Sequence, residues 1–167
     1  MTDAATSEAS ATNPGSASRA QRLLGGLRVL LATFWAGSLW TVGYVAAPTF
    51  FATLPDRMLA GTVAGNLFRV EAWVSIACGL LLLALYATAR GLAHRRTLLW
   101  LAAAMLACTL IGYFGIQPYM AALKAAAGPE GVLEGATRAR FGMLHGVASV
   151  IYLVQSLLAV GLVLRQR

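Results

Sequence analysis

Two ionisable residues placed among apolar neighbours are where chemistry could reside. His145 lies about four residues into the apolar stretch Phe141–Leu164, and Glu71 opens the stretch Val70–Ala89. The bilayer penalises such groups unless they are paired or wetted, so each is a functional candidate by default. His145 could accept a proton, ligate a metal or contact an anion; it could equally be satisfied between helices by Tyr44, Glu71 or a carbonyl. Glu71 could form a packing ion pair with Arg140 or Arg69, or take part in a proton or ion relay. Arg69 and Glu71 are two residues apart and face different directions on a helix, so they do not form a simple helical pair. On the last stretch Gly142, His145, Ser149, Tyr152 and Ser156 recur at steps of three and four and share one face, which calls for a protein neighbour.

Other chemistries have thinner support. Cys78, Met105 and Cys108 are soft donors for copper(I), but without a CxxC or repeated methionine motif they read as ordinary apolar filling. Haem held by two histidines fails because His94 falls in a loop. The sequence contains no GxSxG, no HExxH and no phosphate loop. The expectation is therefore a protein that is not an enzyme, with no cofactor and no metal.

Positioning these residues is the task of a chain with 59% hydrophobic and 11% charged residues and mean hydropathy +0.70. A soluble domain carries about a quarter charged residues, so the solvent here is lipid. The formal net charge of +7 comes from arginines at the ends of apolar runs, a topology signal and not a nucleic-acid surface. Four spans are expected, at about 29–47, 70–89, 98–116 and 141–164, behind a disordered tail at 1–22. Pro48 and the Gln117-Pro118 pair close the first and third spans; Gly128 and Pro129 mark the turn of the polar segment 120–139. Residues 57–69 are either an interfacial helix or the early turns of the second span, with Asp56 as N-cap.

With an inside N-terminus, Arg19, Arg22, Arg28, Arg90, Arg95, Arg96, Arg165 and Arg167 are cytoplasmic, and Arg57, Arg69, Lys124, Arg138 and Arg140 are outside. That bias favours both termini in the cytoplasm. The glycine steps Gly61/Gly65 and Gly142/Gly146, together with Gly112, suit close helix packing.

The segments WTVGYVAAPTFF from Trp40, AGTVAGNLFRVE, the Gln117-Pro118 pair and RFGMLHGVAS resemble the transmembrane protein 205-like family from Leu30 onward. The most specific piece is FxxLHGxxS, Phe141 to Ser149. The resemblance implies a four-span membrane domain, with no reaction to carry over. Eukaryotic relatives place a basic residue near the proline of the third helix, where this chain has Gln117.

The expected fold is all-α, an integral membrane four-helix bundle in a bacterial inner membrane. The candidate polar site is an outward-facing cluster of His145, Arg140, Glu71, Arg69, Gln117, Tyr119 and Tyr44, binding or passing a small solute or proton. A static network serving a membrane protein partner is the alternative, and a soft-metal or redox protein the outsider. The expected partners are the lipid bilayer and a second copy of the chain or another membrane protein, with no nucleic acid.

Overall fold

The computed structural model describes residues 14–89, 91–126 and 133–166. The described chain is helical and without strands: α1 (Pro14–Trp40), a π-helical turn π1 (Thr41–Ala46), α2 (Ala47–Thr53), α3 (Arg57–Thr88), α4 (Arg95–Leu110), a second π turn π2 (Ile111–Ile116), α5 (Gln117–Ala125) and α6 (Gly135–Leu164). These make four rods long and apolar enough to cross a membrane, Arg19–Thr53, Arg57–Thr88, Arg95–Ala125 and Gly135–Leu164. The protein is an all-α membrane bundle.

Each rod is longer than the sequence pattern suggests. Of the expected tail 1–22, residues 1–13 lie outside the described residues, and 14–22 form the first turns of α1. Residues 57–69 are the early turns of α3, opened by Asp56, whose carboxylate accepts from Met58 N–H at 2.7 Å. Pro48 and Pro118 do not end their helices. Proline lacks an N–H and clashes with the carbonyl four residues back; here each follows a π turn, in which Ala47 N–H reaches the Val42 carbonyl and Gln117 N–H the Gly112 carbonyl. The wider turn absorbs the clash and lets the rod continue. The turn expected at Gly128-Pro129 lies outside the described residues.

The rods form a ring in which the first neighbours the second and fourth, and the third neighbours the second and fourth. The apolar core lies toward the end that holds residue 19 and the 89–95 connection. Ala32, Trp35 and Ala36 meet Cys78, Leu82 and Tyr86, Leu98, Ala102 and Met105, and Ala159 and Leu162 there. Gly79 makes the central contact possible. A Cβ at this position would stand 3.2 Å from both Leu106 and the Trp35 ring. At the same end Arg95 caps α3, donating from Nε to the Tyr86 carbonyl at 2.8 Å and from Nη2 to the Ala87 carbonyl at 2.6 Å. The Tyr86 carbonyl also accepts from Ala89 N–H at 3.3 Å, so the guanidinium adds to the cap that closes the last turn of α3.

Apolar side chains such as Leu30, Trp100 and Leu157 point outward, as a lipid solvent permits. The opposite half of the bundle is looser. On α6 no described residue from Gly135 to Ile151 is buried.

Candidate functional site

Polar groups collect in one layer between the apolar core and the loose half. Glu71, Ser75, Thr109, Gln155 and Ser156 are the buried polar residues among those described, and each belongs to this layer.

Its first cluster joins α1 to α3. Ser75 follows Glu71 by one helical turn, so the two side chains share a face. The Ser75 hydroxyl accepts from the Trp35 indole N–H at 2.8 Å and donates to Glu71 Oε1 at 3.1 Å. Ser38, one turn beyond Trp35, has a single hydroxyl proton and two acceptors in reach, the Trp35 carbonyl at 3.0 Å and the same Oε1 at 3.3 Å. Glu71 is only 5% exposed. Among the described residues no basic group reaches ion-pair distance of its carboxyl; two neutral hydroxyls serve it instead. From Thr88 at the helix end it is separated by about 25 Å of helical rise, well inside the rod. A carboxyl held this way, without a counter-ion, is rare in a span.

The second cluster ties α6 to the two broken rods. Tyr152 donates to the Leu39 carbonyl at 2.6 Å, and Gln155 Nε2 donates to Thr109 Oγ1 at 2.9 Å. Leu39 and Thr109 each stand two residues before a π turn. One turn of α6 therefore holds both interruptions at once. Ser156 Oγ donates to the Tyr152 carbonyl at 2.9 Å and accepts from Tyr44 at 3.0 Å, while its own carbonyl accepts from Trp40 at 3.4 Å. Tyr152 also meets Tyr44 and Phe68 edge-on, with ring centroids 6.2 and 5.4 Å apart.

Of the seven residues expected to gather at one mouth, only Glu71 and Tyr44 enter this layer, and they do so in separate clusters. Arg69, Arg140 and Tyr119 are exposed and Gln117 is half-buried. His145 is exposed, with its ring stacked on Phe141 at 6.2 Å and nearly parallel; Lys124 Nζ lies 5.5 Å from the Phe141 ring. The ion pair between Glu71 and Arg140 or Arg69 is not formed: the carboxyl is buried inside the bundle while both arginines are exposed.

The packing glycines also differ from expectation. A Cβ on Gly65, Gly112, Gly142 or Gly146 would meet nothing within 4 Å, and one on Gly61 would make only ordinary contacts. Close approach within the chain occurs at Gly79 and at Gly43, where a Cβ would overlap the Tyr152 ring.

Ser38, Ser75, Trp35, Thr109 and Gln155 are site residues that sequence reasoning missed. The available signal was hydroxyl and amide groups on the same helical faces as Glu71 and Tyr152, deep in apolar runs where a polar side chain needs a partner. Cys78 is buried and Cys108 half-buried, both as free thiols, and among the described residues no three metal-ligating side chains come together.

Four membrane-length helices closed around an interior polar layer define a multi-pass helical membrane protein. The chain belongs to the family described as Domain of unknown function (DUF4149), whose model matches residues 30–129. The match takes in the first rod from residue 30 and the second and third rods, with Glu71 and Thr109, and ends before α6. Neither a curated protein nor a solved structure matches the chain.

Proposed function

We propose that this is a non-enzymatic membrane protein that takes up a proton or small solute at Glu71. The observation that carries this reading is a carboxyl 5% exposed, well inside its helix, served by Ser38 and Ser75 and by no counter-ion among the described residues. A purely structural pair would be expected to bring its own cation, because charges buried without one are costly. The proposed address is the bacterial inner membrane with both termini in the cytoplasm, supported by the arginine-rich character of the end holding residue 19. The resemblance to the transmembrane protein 205-like family is part of this reading; its most specific piece, Phe141–Ser149, lies outside the matched residues.

A second reading has its own observation. The chain of hydrogen bonds from Trp35 through Ser75 to Glu71 joins two helices, as a static clamp in an accessory protein would. Glu71→Gln separates the two, since the amide preserves size and hydrogen bonding but not proton exchange. The uptake reading expects Glu71→Gln to melt within a few degrees of wild type in detergent. It should nonetheless lose the pH dependence of Tm and the proton flux into vesicles loaded with a pH-sensitive dye. Unchanged pH dependence and flux in Glu71→Gln would overturn it. Early melting of Glu71→Ala and Ser75→Ala, with no flux in wild type, would leave the clamp.

A further inference from the structure

The two ends of the bundle are electrically unlike. At the end holding residue 19, the described charged residues are Arg19, Arg22, Arg28, Arg95, Arg96 and Arg165, with no carboxylate among them. The opposite end mixes signs, with Asp56 and Glu134 beside Arg57, Arg138 and Arg140. The arginines of the first end are not equivalent either. Arg95 is committed to capping α3, and Arg28 donates from Nε to the Leu24 carbonyl at 3.0 Å. Arg19 and Arg22 are exposed, one turn apart on the same face of α1, so their guanidinium groups can converge on one anion.

Directly below them Arg22, Leu23, Leu24, Gly26, Leu27 and Leu30 bound a shallow, open groove on the surface of α1 alone. Gly26 follows Arg22 by one turn, and a Cβ there would meet nothing within 4 Å. The glycine leaves bare backbone between leucines on this face. Leu23 and Leu30 are 75% and 69% exposed, so no other part of the described chain covers this face.

A cationic pair above an apolar groove, at the end of a membrane rod, has the polarity of one occupant. We infer that this face of α1 is a binding site for an anionic phospholipid. The phosphodiester accepts from Arg19 and Arg22, and an acyl chain lies over Gly26 along Leu27 and Leu30. Anionic headgroups draw juxtamembrane arginines by charge alone; the groove adds a place for the chain, which a free phosphate cannot use. The site is independent of Glu71 and stands or falls separately from the uptake reading.

The test is the thermal shift of the full-length protein in mild detergent on adding phosphatidylglycerol, phosphatidylcholine or inorganic phosphate. Phosphatidylglycerol should raise Tm by several degrees, and the other two should not. Arg19→Gln/Arg22→Gln should melt as wild type without lipid and lose the shift. Gly26→Leu, which fills the notch with both arginines intact, should lose at least half of it. Arg57→Gln/Arg138→Gln removes the same charge from the other end and should keep the shift. The proposal is overturned if that control loses the shift equally, if inorganic phosphate or phosphatidylcholine reproduces it, or if Gly26→Leu responds as wild type does.

Discussion

Glu71, Ser75 and Gln155 show what a polar side chain must do when its solvent is lipid. Each finds a partner on a neighbouring rod or one turn along its own, because lipid offers no hydrogen bond and an unmade one costs more than a made one gains. Measured interhelical hydrogen bonds in membranes average about 0.6 kcal/mol and reach about 1.7 kcal/mol. The bond from Gln155 to Thr109 is direct, buried and 2.9 Å long, which places it in the upper part of that range. A double-mutant cycle on Gln155→Leu and Thr109→Val should therefore return a coupling of about 1 kcal/mol in mixed-micelle unfolding. A coupling near zero would mean that the two groups do not bond in the folded protein. Glu71 was legible in the sequence because a carboxyl in an apolar run is conspicuous. Its partners were not, because serine and tryptophan are ordinary in spans and only the packing of α1 on α3 reveals which of them meet. His145 was as conspicuous, yet it is exposed and stacked on Phe141 of its own helix, away from the polar layer.

The elements were legible in number and order but not in extent. Pro48 and Pro118 read as terminators because proline ordinarily ends a helix. A π turn removes that necessity, and no residue pattern distinguishes a proline that stops a rod from one that bends it. The continuation has a structural consequence. Tyr152 and Gln155 of α6 grip the residues just before both turns, so the fourth rod holds the other two where they are weakest. Gly43 sits inside the first turn against the Tyr152 ring, which makes it the most sensitive glycine of this contact. Gly43→Ala should destabilise the protein by about 1–3 kcal/mol, the usual cost of overpacking, and Tyr152→Leu should recover part of that loss. Gly142→Ala, with open space around it, should be neutral or slightly stabilising through helix propensity. Thermal melts of the three variants check this, and equal losses at Gly43 and Gly142 would contradict the assigned contact.

At the scale of the whole molecule, an even number of rods returns the chain to the end where it began. Gln21 on α1 and Arg96 at the start of α4 belong to one end, and Asp56, between the first and second rods, belongs to the other. Composition and the run of apolar segments made this architecture readable, because a rod needs about 20 apolar residues to cross a bilayer and the arginines mark the ends. The free thiols Cys78 and Cys108 lie within the rods and are buried or half-buried, so replacing both with alanine gives a background without competing label. In that background Gln21→Cys and Arg96→Cys should react with a membrane-impermeant maleimide from the same side of sealed vesicles, and Asp56→Cys from the opposite side. Labelling of all three from one side would break the four-span arrangement. If the first two react only after the cytoplasmic face is opened, the arginine-rich end is inside, as the positive-inside bias requires. The reverse pattern would keep the bundle but turn it over, placing the loose half of α6, with His145 and Arg140, toward the cytoplasm.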